Sequence, residues 1–142
     1  MGTMQWNETL AVGVALIDDQ HKMWISRVND VSAAIKAMHG PRRIAETLSF
    51  LDDYMLLHFL TEEHYMDMHS YPGMEAHVAK HEEMKELLDK LTEEFEEDGA
   101  THRLAGSIDT FLANWLIKHI QNMDMEFGAF LKGNGIEIAE LE

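Results

Sequence analysis

In four separate stretches of this chain, a histidine falls on the 3.6-residue stripe that otherwise carries leucine, isoleucine, valine and methionine. The first stripe holds His21, Ile25, Val28, Ser32 and Ile35, and the second Leu48, Leu51, Met55, His58, Glu62 and Met66. The third holds His77, His81, Met84, Leu88, Leu91 and Phe95, and the fourth Leu104, Ile108, Leu112, Trp115 and His119. A period of 3.6 sustained over such lengths describes amphipathic helices with these residues facing inward. An imidazole on each inward face narrows the choice of fold, because a buried polar ring without a partner is costly. The four histidine-bearing faces must therefore meet.

Glycine and proline mark where the helices stop. His39-Gly40-Pro41, Tyr71-Pro72-Gly73, Asp98-Gly99 and Gly133-Asn134-Gly135 separate helices expected over about 18–38, 41–69, 74–97 and 101–131. Asp18 and Thr101 are the expected N-caps, and Pro41 suits a first helical turn. Residues 1–17 show no helical period and read as an N-terminal arm; residues 133–142 read as a short surface tail. Short loops between helices of comparable length predict an all-α, up-down-up-down antiparallel four-helix bundle. With 142 residues, 46% of them apolar, the chain matches one domain, 1–142, with a real core.

The formal net charge of −15 repels phosphate backbones and anionic lipid, so neither nucleic acid nor a membrane surface is an expected partner. The run Glu93-Glu94-Phe95-Glu96-Glu97-Asp98 reads as a solvated helix face with Phe95 turned inward. The absence of cysteine excludes disulfides, iron–sulfur clusters and a catalytic thiol. No secretory signal is visible, and the apolar stretch Leu10–Ile17 is too short to span a bilayer, so a cytoplasmic location is expected.

Histidine is the commonest side-chain metal ligand, and there are nine of them here. One alone on an apolar face is usually a satisfied core residue. His58 and Glu62, however, stand four apart on one face, as do His77 and His81, and an i,i+4 pair reaches one ion or two adjacent ions without backbone distortion. His119 shares the stripe of the last helix. Asp124 follows it by five residues, about 140° around an ideal helix, so a locally widened turn is needed to bring it in. His21 falls in the first turn expected for the first helix. A metal site satisfies His21, His58, Glu62, His77, His81, His119 and Asp124 at once.

Donor counting sharpens this. If Glu62 and Asp124 each bridge two ions and a solvent-derived oxygen also bridges, each ion has three oxygen donors. Five imidazoles then divide three and two, leaving one ion six-coordinate and the other five-coordinate and open. The count does not say which histidines group together. Nitrogen-rich octahedral sites suit iron better than magnesium or calcium, and structural zinc does not use so many ligands. His39, His64, His69 and His102 lie at helix ends or off the stripes and are expected to be surface or capping residues. His81-Glu82-Glu83-Met84-Lys85 starts like a zinc-protease motif but lacks its second histidine. The eleven methionines fall mostly on buried stripes and read as core rather than copper ligands.

Taken together, the chain resembles the hemerythrins, specifically the single-domain bacterial type. The resemblance is carried by Trp6…Val12-Gly13-Val14…Ile17-Asp18…Gln20-His21-Lys22, by His58-Phe59-x-x-Glu62-Glu63-x-x-Met66, and by Tyr71-Pro72…His77-x-x-x-His81. Trp115-Leu116-x-x-His119-Ile120-x-x-x-Asp124 completes it. The resemblance implies two iron ions (Fe2+/Fe3+) with a bridging oxo or hydroxo group in the bundle core. It assigns His77, His81 and His119 to the closed iron, His21 and His58 to the open one, and Glu62 and Asp124 to the bridges.

It also implies reversible binding of O2 in the vacant position. An apolar pocket is then needed, for which Trp24, Phe59, Trp115 and Ile117 are the candidates, Trp24 being large enough to narrow access. The expected function is oxygen carriage, storage or sensing rather than catalysis, since no acid or base beyond the ligands is evident. The alternatives are a di-iron enzyme acting on peroxide or nitric oxide, and an iron-handling protein. No protein partner is specified by the sequence.

Overall fold

A computed structural model describes residues 5–138. Four long helical runs follow one another: α1 (Ala15–Lys36), α2 (Pro41–Met68), α3 (Met74–Asp98) and α4 (102–133). They close into a ring in which α1 packs on α2, α2 on α3, α3 on α4 and α4 on α1. This is the four-helix bundle expected from the stripes, with the histidines and carboxylates buried in its core.

The helix ends follow from local chemistry. Pro41 occupies the first turn of α2, where its missing N–H is no loss. Thr101 caps α4, its hydroxyl accepting from the Leu104 N–H at 3.0 Å. After α1 and α2 the chain reverses through Met38 and Ser70, both at positive φ (58° and 53°). In each case the next residue's N–H reaches back to satisfy an otherwise orphaned carbonyl, His39 to Ala34 and Tyr71 to Met66.

The start of α1 differs from the expectation. The helix begins at Ala15, three residues before Asp18, so Asp18 is not its N-cap and His21 lies in the second turn. Asp18 instead turns its carboxylate back to accept from the N–H groups of Val12 (2.8 Å) and Gly13 (3.3 Å). The arm is not wholly irregular either, since Glu8–Leu10 forms a 3-10 turn capped by Asn7. Leu10, Val12 and Ile17 are buried, which ties the arm to the bundle. Residues 1–4 of the expected arm and 139–142 of the expected tail lie outside the described residues.

The arm crosses α4 at Gly128, where an added Cβ would stand 2.7 Å from the Val12 carbonyl oxygen. Backbone atoms cannot yield as a flexible side chain would. Gly128→Ala is therefore expected to cost about 1–3 kcal/mol, read as a lower Tm. An unchanged Tm would show that the arm is not held there.

In α4 two wide turns interrupt the α-helical register, Ile108–Leu112 and Ile120–Asp124. The first carries Asp109, whose carboxylate accepts from Ser32 Oγ (2.8 Å) and Lys36 Nζ (2.7 Å) of α1. One consequence corrects the expected stripe. Leu116, not Trp115, takes the core position after Leu112, and Trp115 is only half-buried. An extra residue in a turn rotates everything that follows it.

Candidate metal centre

Each helix delivers its share of one buried cluster. α1 contributes His21, α2 contributes His58 and Glu62, α3 contributes His77 and His81, and α4 contributes His119 and Asp124. All seven are buried, six of them completely and His119 at 3% exposure. Their donor atoms form two overlapping groups, Glu62, His77, His81, His119 and Asp124 on one side and His21, His58, Glu62 and Asp124 on the other. Within each group the atoms lie no more than 4.8 Å apart. Glu62 and Asp124 belong to both.

The second wide turn answers the difficulty with Asp124. Its five-residue offset from His119 would carry it off the inward face of an α-helix, and the Ile120–Asp124 turn absorbs the excess. Asp124 then divides its two oxygens. Oδ2 is 2.7 Å from His21 Nε2, whereas Oδ1 is 2.9 Å from His77 Nε2 and 3.2 Å from His119 Nε2. Glu62 Oε1 stands 3.1 Å from His81 Nε2, 3.3 Å from His58 Nε2 and 3.5 Å from His77 Nε2.

Two distances test whether the cluster suits a metal. His21 and His58 bring their Nε2 atoms to 3.1 Å, and His77 and His119 bring theirs to 3.2 Å. Two ligands adjacent on one six-coordinate ion, each at about 2.0–2.2 Å, stand about 3 Å apart. Glu62 Oε2 and both Asp124 oxygens are buried without a directed hydrogen bond, a costly state unless a cation answers them. The residues present fit a cation.

The outer nitrogens of two rings are held by acceptors. His81 Nδ1 donates to Glu63 Oε2 (2.7 Å), and His58 Nδ1 to Gln20 Oε1 (2.8 Å). Gln20 is itself oriented through its amide to Thr61 Oγ1 (3.4 Å), whose hydroxyl donates to the Leu57 carbonyl (2.8 Å). Fixing a proton on Nδ1 leaves the lone pair of Nε2 turned inward. Sequence reasoning gave Gln20 and Glu63 no role. Each adjoins a candidate ligand and stands in a motif that carries the resemblance, but an acid after Glu62 reads equally well as solvated surface.

The charges respond to one another. Burial and the neighbouring Asp124 push Glu62 up, but His58 and His77 outweigh them and hold its carboxyl below the usual range. Burial likewise opposes ionisation of Asp124, and His119 and His21 beside it hold it well below the usual range. Burial lowers His77, yet Asp124 and Glu62 push it up to about 10. His81 is raised against burial by Glu62 and Glu63, whereas burial dominates at His58 and lowers it.

Of the four residues expected to line an apolar pocket, Trp24 and Phe59 are enclosed. The Trp24 ring centroid is 5.3 Å from those of His58 and Phe59, and Phe59 stacks on His81 at 3.8 Å. Trp115 lies on the outer side of the other group. It stacks on His119 at 4.5 Å, donates its indole N–H to Glu83 (3.1 Å), and lines a surface cavity of about 330 Å³ with Lys80, Lys118, Asn122 and Met123. Ile117 is half-buried at the margin of the core. His39, His64 and His102 are exposed and His69 half-exposed, all four outside the cluster. No helix of the described residues is long and apolar enough to cross a membrane.

Comparison with known proteins agrees with this geometry. Residues 12–131 match the family model for the hemerythrin HHE cation binding domain. The chain is 30% identical over 133 residues to a bacteriohemerythrin of Methylococcus capsulatus, covering 92% of this chain and 98% of that one. It is 27% identical over 134 residues to a bacteriohemerythrin of Stenotrophomonas maltophilia, covering 94% and 85%. The crystal structure of wild-type hemerythrin superposes with a TM-score of 0.77 at 28% identity, covering 88% of this chain and 95% of that one.

Proposed function

This chain belongs to the hemerythrin HHE cation-binding family, and from that premise we propose that its cluster holds two iron ions and binds dioxygen reversibly at one of them. His77, His81 and His119 hold one ion, His21 and His58 the other, and Glu62 and Asp124 lie between the two. The observation that carries this reading is the division of Asp124, one oxygen turned to His21 and the other to His77 and His119. A carboxylate so placed serves two ions at once. The unequal split of histidines leaves the His21/His58 side one donor short, and that is where a small ligand fits.

Bound iron supplies the electrons that dioxygen takes up on binding and returns on release. The chain's own residues prepare the setting. Gln20 and Glu63 keep the His58 and His81 rings in the tautomer that presents Nε2 inward. Trp24 and Phe59, both fully enclosed, keep water from the cluster and put apolar surface beside His58 and His81. The bulk of Trp24 restricts access to small molecules. This wall provides no acid or base, which favours binding over catalysis and a role in oxygen carriage, storage or sensing.

The test is anaerobic loading and reduction, followed by O2 exposure with optical spectroscopy and a measured oxygen off-rate. The expected result is a coloured oxygenated form that returns to the starting spectrum when O2 is removed. Rapid irreversible oxidation with release of peroxide would overturn the proposal in favour of an enzyme acting on peroxide or nitric oxide.

A further inference from the structure

The indole N–H of Trp24 is enclosed and donates to nothing. The side chain is fully buried, and among the described residues no acceptor answers its Nε1. An indole N–H taken into a core ordinarily meets an acceptor, because leaving it unmet is costly. Phenylalanine or leucine would seal the same space without that cost.

The surroundings of the ring indicate what the N–H meets. Trp24 stands three residues after His21 on α1, and a helical side chain leans back over the turn that precedes it. Its ring centroid is 5.3 Å from that of His58. His21 and His58 are the histidines of the donor group that is one short, so Trp24 belongs to the wall of that side. The acceptors around His58 are already committed: Gln20 Oε1 takes the His58 Nδ1–H at 2.8 Å, and Thr61 Oγ1 faces the Gln20 amide at 3.4 Å. The other two tryptophans differ. Trp115 donates to Glu83 at 3.1 Å, and Trp6, also without an acceptor, is only half-buried, with Lys22 Nζ 4.4 Å from its ring.

We propose that Trp24 donates a hydrogen bond from Nε1 to the small ligand held on the His21/His58 side, and so selects ligands that carry or acquire negative charge. This rests on the two-ion reading above. A hydrogen bond to a charged acceptor is stronger than one to a neutral acceptor, and more so where no water competes. Dioxygen acquires that charge with the electrons it takes up at the site, and azide brings it. An indole N–H donates without ionising, so it strengthens retention of the ligand and adds no acid. The bulk of Trp24 then limits the size of the ligand, and its N–H reads the charge.

The test is azide binding to the oxidised, iron-loaded full-length chain, followed by stopped-flow absorption in the wild type and in Trp24→Phe, with iron analysis and far-UV circular dichroism as controls. The dissociation constant is expected to rise about 10- to 100-fold, through the dissociation rate, with little change in the association rate. The O2 off-rate of the reduced chain should rise as well. An unchanged constant, or a change confined to the association rate, would overturn the proposal and leave Trp24 a steric wall. Ultraviolet resonance Raman spectroscopy of the wild type needs no variant. The indole N–H groups without an acceptor are those of Trp6 and Trp24, and azide should convert one of them to the hydrogen-bonded form. Azide binding without that conversion would overturn the proposal even if Trp24→Phe failed to load iron. A wild type that holds paired iron but binds neither azide nor O2 would overturn the parent reading and this proposal with it.

Discussion

Glu62→Ala is expected to abolish paired metal binding, so that metal analysis falls from about two ions per chain to one or none. Glu62 and Asp124 are the residues common to both donor groups, and Glu62 Oε1 lies within 3.5 Å of three imidazole nitrogens. Under the proposed two-ion reading its loss removes an oxygen donor from both ions and leaves the imidazoles around it facing one another. An effect larger than the about 10–100-fold loss in affinity caused by removing a mere supporting hydrogen bond is expected. Glu62→Gln keeps the volume and one oxygen acceptor but not the charge, and so separates loss of the charge from collapse of the packing. His64→Ala is the control, an exposed histidine two residues further along α2 that joins neither group. It should retain about two ions. Equal loss in both variants would contradict the assignment, as would full retention in Glu62→Ala.

The second large effect is on stability. A ligand that binds only the folded chain adds about 4 kcal/mol at a free concentration a thousandfold above its dissociation constant. For a chain of this length that corresponds to about 8–16 °C in Tm. Exhaustive chelation should therefore lower Tm by that order, and a change of less than about 2 °C would place the ion outside the core.

The metal-free chain should also acquire a pH dependence whose sign follows from the shifts. His77 is raised to about 10, so its contribution is complete below its ordinary value of 6.5 and is lost as pH rises towards 10. His81 is raised and acts in the same direction. His58 is lowered, so below its ordinary value the unfolded chain takes up the proton first and stability falls with pH. Glu62 and Asp124, both held low, add a further loss below about pH 4. The metal-free Tm should thus decline between about pH 7 and 10. In the loaded chain the ring nitrogens turned to metal carry no proton, and this alkaline decline should be absent. A metal-free Tm that is flat or rising over the same range would mean that the imidazoles and carboxylates do not pair when the metal is gone.

Much of this arrangement is legible one residue at a time. Ile25, Val28 and Ile35, Leu51 and Met55, and Met84, Leu88 and Leu91 are buried where their periodicity put them. The pairs His58/Glu62 and His77/His81 needed only the four-residue spacing of an α-helix. Asp124 needed one wide turn, which is present, but α4 has a second at Ile108–Leu112 that nothing in the spacing announces. Its Asp109 is held by Ser32 and Lys36 of α1, 77 and 73 residues away in sequence. A turn anchored by so distant a pair of donors leaves no local pattern, so periodicity alone points to Trp115 for the place that Leu116 takes.

The same distinction separates the ligands from what surrounds them. That five imidazoles and Glu62 are enclosed together follows from the sequence, because each sits on an apolar helical stripe and the stripes have no other way to be buried; Asp124 joins them only through the wide turn of α4. Whether Gln20 and Glu63 face inward, which oxygen of Asp124 looks to which histidine, and which face of α2 remains open were decided only when the helices packed. Periodicity fixes the direction of a side chain about its own helix axis. It does not fix the rotation and depth of one helix against the next, and those set every distance between residues on different helices.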